Sequence, residues 1–346
     1  MVFVYVCAMV ACVVLFLPMV MAGYHLSRNK MLFFGAALFI TLAVGVHLTP
    51  YFPSISRFTP NAPNSSSLAS EISCLAYVDH VRWQNRALYV PDSDGFDSSL
   101  RTWDWARSDP VLSCGFQKLG KKDVLDLLNG SWVLVAGDSQ ARLFVVALLG
   151  LVLDDEKMIG AERDLFKRHS DYRIEVEENG MRIDYLWAPY TENLTIAMSQ
   201  LESESRRPDV LVMGSGLWHM LHLSNPTDYS NSLFSLKRSL VKNKLVGSKT
   251  HGYWLGMPTL VNSMLNTQEK QERMNSSTLE AYNLEVYRSK ILHGSGGSLL
   301  LLDVEELSRD CGLECTSDGM HYTKVVYEAA LQIMLNALLI ESEQRI

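Results

Sequence analysis

Two short motifs lie far apart in the chain. Gly137-Asp138-Ser139 directly follows the apolar run Trp132-Val133-Leu134-Val135-Ala136, and Asp318-Gly319-Met320-His321 precedes a strongly helical C-terminal segment. The first places a serine hydroxyl at the exit of a buried strand. The second places a carboxylate and an imidazole three residues apart. Together they hold a nucleophile, a base and an acid to orient the base, the three parts of a serine acyl-transfer site.

Each motif alone has a plainer reading. Asp138 or Ser139 would cap the following helix. Asp318 would cap the last helix, with His321 on the surface. The pair changes the balance, because the serine follows one strand and the Asp/His motif opens the last helix. On a first helical turn Asp318 and His321 share one side. The backbone N–H of Ser139 at a strand-to-helix turn suits an oxyanion, and Gly137 permits the tight turn. His219 and His222 are three apart, but no further ligand sits at a suggestive spacing, so no metal is expected.

The elements that must position these groups alternate in type. Strands are expected at 132–136, 181–187, 209–213, 252–256 and 299–304, and helices at 141–153, 229–242, 278–292 and 324–340. Short strands that are apolar throughout belong to a sheet covered on both faces, so the fold expected is α/β, a three-layer parallel sheet with helices on both sides. In such sheets the chemistry lies beyond the C-terminal strand ends. Ser139, the Gly214-Ser215-Gly216 turn and Pro258 all fall there. Residues 74–130 are less regular and read as a lobe stapled onto the sheet. The catalytic domain is taken as 74–346.

The N-terminus differs. Residues 2–22 and 31–48 are two apolar runs separated by a polar break holding Arg28 and Lys30. Each run is about long enough to cross a bilayer core, and the basic break is expected on the cytosolic side. One or two spans are compatible with residues 1–48, since a start at Met21 leaves a single anchor. Residues 49–73, rich in Pro, Ser and Asn, read as a stem.

The net charge is -7, with 20% charged residues and no basic stripe, which argues against nucleic-acid binding. Cys74, Cys114, Cys311 and Cys315 lie beyond the stem, an even number that allows two disulfides in any of three pairings. The alternative of zinc at Cys311 and Cys315 lacks a second ligand pair. Four Asn-x-Ser/Thr sites, at Asn64, Asn129, Asn193 and Asn275, are candidate glycan acceptors.

An ordered series of motifs resembles the trichome birefringence-like and PC-esterase group of the SGNH (GDSL-like) superfamily. Trp103-Asp104-Trp105 with Pro110 and Cys114 is similar to the signature ahead of the serine motif. Gly137-Asp138-Ser139-Gln140-Ala141-Arg142 resembles Gly-Asp-Ser-x-x-Arg, and Trp187-Ala188-Pro189-Tyr190 resembles Trp-Ala-Pro-Phe. Arg207-Pro208-Asp209-Val210-Leu211-Val212 leads to Gly216 and Trp218, where the family carries a Gly-His-Trp turn. The resemblance covers roughly Cys74 to Leu339. The second motif, with its cysteines upstream, is nearer to the altered-xyloglucan-nine branch and to sialate O-acetyltransferase-like domains.

The resemblance implies a Golgi membrane enzyme, its catalytic domain lumenal, that moves acetyl groups onto cell-wall polysaccharide of the xyloglucan or xylan type. Ser139 would be acylated, His321 would relay the proton and Asp318 would orient His321. Gly214 stands where the family has an asparagine donor, so Arg142 or the Gly214–Gly216 backbone would serve the oxyanion, with Asp138 alongside. Trp187 and Trp218 are candidate sugar contacts. No bound cofactor is implied. The acetyl donor would be acetyl-CoA or an acylated intermediate from a membrane partner. Two alternatives remain: an acetyl-esterase of the same fold, and a catalytically silent polysaccharide binder.

Overall fold

The computed structural model describes residues 74–85 and 101–343, apart from 168, 202–205, 224, 244 and 248. The expected membrane runs, the stem and Asn64 lie outside the described residues.

Along the chain, β1 (Val81–Asn85) and β2 (Arg101–Trp105) are followed by α1 (Asp109–Cys114), α2 (Lys121–Leu127), β3 (Trp132–Gly137), α3 (Ser139–Val152) and α4 (Asp155–Leu165). Then come β4 (Tyr172–Val176), β5 (Met181–Trp187), α5 (Thr191–Gln200), β6 (Val210–Gly214), α6 (Leu217–His222), α7 (Pro226–Lys242) and β7 (His251–Leu255). The chain continues with α8 (Gln268–Arg273), α9 (Ser276–Arg288), β8 (Leu300–Leu302), α10 (Val304–Cys311) and α11 (Lys324–Glu343).

The main sheet has six strands in the order β4-β5-β3-β6-β7-β8. Side chains alternate across a strand, and the core divides accordingly. Val133, Val135, Val210, Val212, Tyr253 and Leu255 face one apolar layer with α3 and α11. Leu134, Ala136, Leu211, Met213 and Trp254 face the other, with α5, α7 and α9. Helices therefore cover both faces, which is why the central strands are apolar at every position.

The sheet is mixed, where an all-parallel one was expected. β4 pairs antiparallel with β5, and the other neighbours are parallel. Only a four-residue turn separates β4 from β5, and Gly180 in it has φ 67°. A connection that short can join only antiparallel strands.

The described part of the first lobe contains regular elements. β1 and β2 form an antiparallel pair with Trp83 opposite Trp103, and Cys74 is bridged to Cys114. Trp103, Trp105, Val111 and Val124 join the same core layer as α3 and α11. α11 is long and apolar enough to cross a membrane, yet most of it is buried in this core.

Candidate active site

The order of the parallel strands, β5-β3-β6-β7-β8, reverses direction at β3. The chain leaves β3 for β5 on one side, then returns to β6 on the other. The C-terminal ends of β3 and β6 therefore border a crevice, the usual ligand position in such sheets. Gly137 and Gly214, the last residues of these strands, are register partners. A Cβ at 137 would lie 2.5 Å from the Gly214 carbonyl oxygen, and one at 214 would lie 2.7 Å from that of Leu255. The two glycines are there for close backbone approach. For the same reason position 214 has no room for a side-chain donor.

Asp138 caps α3, its Oδ1 accepting the Gln140 N–H at 2.9 Å. This leaves the Ser139 hydroxyl for another partner. His321 Nε2 is 2.8 Å from Ser139 Oγ, and His321 Nδ1 is 2.7 Å from Asp318 Oδ2. The other oxygen of Asp318 accepts the backbone N–H groups of Met320 and His321 at 3.0 and 2.7 Å. Burial opposes ionisation of Asp318, but the His321 side chain and these two N–H groups outweigh it and hold the carboxyl well below its ordinary range.

The Asp/His motif is a turn, where a first helical turn was expected; α11 begins only at Lys324. Thr316 and Tyr322 form an antiparallel bridge, and Gly319 has φ 79° with the Val261 carbonyl 2.5 Å from where a Cβ would be. The carboxylate closes the turn on the backbone two and three residues further on, as short acidic side chains do, and so still meets the imidazole. The turn is tied down on several sides. The Gln140 amide donates to the Met320 carbonyl at 3.0 Å, Tyr327 donates to Gln140, Tyr322 donates to the Thr259 carbonyl at 2.9 Å, and the Val261 N–H bonds Gly319. The Cys311–Cys315 disulfide closes the segment just ahead.

The Gly214-Ser215-Gly216 turn is braced from below. Thr191 and Ser215 share a hydroxyl contact of 2.9 Å, and Tyr229 donates to the Ser215 carbonyl at 2.8 Å. His219 is fully buried and accepts the Thr191 N–H on Nε2, which fixes its tautomer; burial pushes its pKa down, opposed by Glu192 and Asp228. His222 is exposed and packs on Trp218. Among the described residues no three His, Cys, Asp or Glu side chains could hold a metal.

Asp138 is 2% exposed, and its Oδ2 has no hydrogen-bond partner. Burial pushes its pKa up to about 6, against the pull of the Gln140 N–H, His321 and Arg142. Arg142 does not bond the serine. Its guanidinium lies over Trp187 and Phe166, 5.0 and 5.5 Å from the ring centres. Trp187 and Trp218 meet edge to face at 5.6 Å. Of the candidate glycan acceptors, Asn129 and Asn193 are exposed, whereas Asn275 caps α9 and bonds the Glu272 carbonyl.

Sequence reasoning missed Gln140, Thr191, Tyr229 and His169, all of which hold or flank the site. None carries a local signal, because each acts on a residue distant in the chain.

An α/β sheet with a Ser–His–Asp relay at its switch point is the arrangement of a serine acyl-transfer enzyme and fits the SGNH-type class. No family profile matches the chain. It is 48% identical to the Arabidopsis thaliana protein ALTERED XYLOGLUCAN 9, over 96% of both chains. It is 28% identical to a PC-esterase domain-containing protein 1B of Rattus norvegicus, over 36% of this chain and 33% of that one. Among solved structures, an acetylxylan esterase from Geobacillus stearothermophilus aligns with a TM-score of 0.35 and 14% identity, over 64% of this chain and 96% of that one. The chain belongs to the trichome birefringence-like family, in its altered-xyloglucan-nine branch.

Proposed function

We propose that this protein is a polysaccharide O-acetyltransferase that works through an acetyl-serine. The observation that carries the reading is the continuous relay Asp318–His321–Ser139, with 2.7 and 2.8 Å contacts, at the switch point of the sheet. Family membership with a xyloglucan-named relative favours a wall polysaccharide of the xyloglucan or xylan type as acceptor.

Ser139 Oγ attacks the carbonyl carbon of the acetyl donor while His321 Nε2 takes its proton. Asp318 holds Nδ1–H and stabilises the imidazolium. The tetrahedral intermediate collapses, the donor's leaving group takes the proton from His321, and acetyl-Ser139 remains. A sugar hydroxyl then gives its proton to His321 and attacks the same carbonyl; as the C–O bond to Ser139 breaks, His321 returns that proton to Ser139 Oγ, and the acetylated glycan is released. With glycine at 214, the oxyanion is served by backbone N–H groups. Ser139 opens α3 and Gly216 precedes α6, and the first N–H groups of a helix lack partners within it.

The reading also places the protein in the Golgi membrane, with its catalytic domain in the lumen. The two N-terminal apolar runs, the Pro/Ser-rich stem and the Cys74–Cys114 and Cys311–Cys315 disulfides favour it. The donor is acetyl-CoA or an acetylated intermediate delivered by a membrane partner.

The test is the intact mass of the purified full-length protein with an acetyl donor, then with oligosaccharides. An acetyl adduct on Ser139 that passes to the glycan supports transfer. An adduct lost equally fast to water makes the protein an esterase. No adduct with several donors removes the acyl-enzyme.

A further inference from the structure

Beside Ser139 stands a column of three flat groups that the relay does not use. Trp187 closes β5 and is the register partner of Gly137, two residues before the serine. Arg142, one helical turn after Ser139, lies over one face of the Trp187 ring at 5.0 Å. His169 stacks on the ring at 4.7 Å and 16°. Both groups lie against the Trp187 ring, which is only half-exposed, so little of it is left for a ligand.

The open surface is one layer further out. His169 is exposed, and its backbone is left-handed, φ 53°, a conformation that a non-glycine residue adopts at a cost. Its neighbour Asp171 accepts the Trp187 N–H at 2.8 Å, which ties the 169–171 segment to the end of β5. Trp218 stands at right angles to both stacked rings, 5.5 Å from His169 and 5.6 Å from Trp187. Exposed His169 and half-buried Trp218 therefore make a right-angled aromatic corner beside the Trp187 ring.

We propose that this corner is a distal subsite for a neutral pyranose ring of an oligosaccharide acceptor, remote from the hydroxyl that is acetylated. The inference rests on the polysaccharide reading above and deepens it. A pyranose presents an apolar C–H face, suited to the imidazole layer, and C–H edges suited to the indole. A second sugar contact, separate from the hydroxyl being acetylated, gives a preference for chains over single sugars.

The test is calorimetric titration of the full-length protein with a xyloglucan oligosaccharide and, separately, with xylose, without acetyl donor. His169→Ala should weaken oligosaccharide binding roughly three- to tenfold and lower the ratio of oligosaccharide to xylose affinity. His169→Trp, which keeps a flat ring at the position, should restore that ratio. His169 is exposed, so neither variant threatens the core, and Trp218→Phe gives an independent second reading of the corner. Equal oligosaccharide affinity in wild type and His169→Ala would overturn the subsite, as would an equal loss for xylose. Failure of the wild type to bind the oligosaccharide would also overturn it. The acyl-enzyme reading would still stand or fall on the acetyl adduct.

Discussion

Ser139 Oγ and His321 Nε2 are 2.8 Å apart in space and 182 residues apart in the chain. The contact depends on Asp318, which fixes the imidazole through Nδ1 and is itself held ionised by two backbone N–H groups. Asp318→Asn keeps the shape of the turn but offers Nδ1 the wrong hydrogen-bond partner. Acetyl-Ser139 formation should fall by about 10³–10⁴, the scale for loss of the orienting acid in such relays. Rapid-quench intact mass measures it. A loss under tenfold would mean that Asp318 does not orient the base.

Asp138 gives a stability signature with a definite sign. Its carboxyl titrates near 6 in the folded protein, because burial outweighs the Gln140 N–H, His321 and Arg142, and near 3.9 when unfolded. Between these values the folded state binds more protons than the unfolded one, so this group's contribution falls as pH rises from about 4 to about 6 and is constant above. The loss is on the order of 3 kcal/mol. Asp138→Asn, which keeps an amide oxygen to cap Gln140, should remove that slope. Urea unfolding at pH 4.5 and pH 7 on both proteins checks it. Equal slopes would place the titration elsewhere.

The parts of this architecture that speak in sequence are those whose physics is local. β3 and β6 are legible because strands covered on both faces must be apolar at every position. Ser139, Asp318 and His321 are legible because their chemistry needs those residue types. β4 was not, since Tyr172-Arg173-Ile174-Glu175-Val176 is a half-polar edge strand, defined by its turn into β5. The 299–304 strand stops at Leu302, because Asp303 accepts the Glu306 N–H and caps α10. Gln140 reads as an ordinary helix residue. Its role appears only when α3 and the 318–321 turn meet, 180 residues apart. The same holds for Thr191 and Tyr229 beneath the 214–216 turn.

The two disulfides should separate stability from activity. Cys74–Cys114 closes a loop with a sequence separation of 40, and Cys311–Cys315 one of 4. On loop entropy alone the first is worth about 4 kcal/mol and the second about 2. Cys311–Cys315 nevertheless sits just ahead of the 318–321 turn, where the Cys315 carbonyl accepts the Thr323 N–H at 2.7 Å. Cys74→Ser/Cys114→Ser should lower the melting temperature more. Cys311→Ser/Cys315→Ser should lower acylation more, roughly ten- to hundredfold, since small misplacements of catalytic groups cost that much. Thermal melts and acylation rates on both double variants decide it. The same ranking in both measurements would show that the second bridge is only a staple.

Gly214 tests whether the switch-point crevice is set by backbone approach. The methyl of Gly214→Ala would lie 2.7 Å from the Leu255 carbonyl oxygen and 3.1 Å from the Leu255 Cβ. Neither group is the flexible end of a side chain, so β6 must shift against β7 to relieve the contact. That shift displaces Ser215 and Gly216, and with them one side of the crevice facing Ser139. The expected cost is about 1–3 kcal/mol of stability, as for overpacking in a filled core, with acylation slowed in the same variant. Gly160→Ala is the control: a Cβ there meets nothing within 4 Å, and alanine suits the helix interior better than glycine. It should be neutral or slightly stabilising with acylation unchanged. If Gly214→Ala behaved like Gly160→Ala, the crevice would not depend on the close β3–β6–β7 approach, and a side-chain donor at 214 would again be admissible.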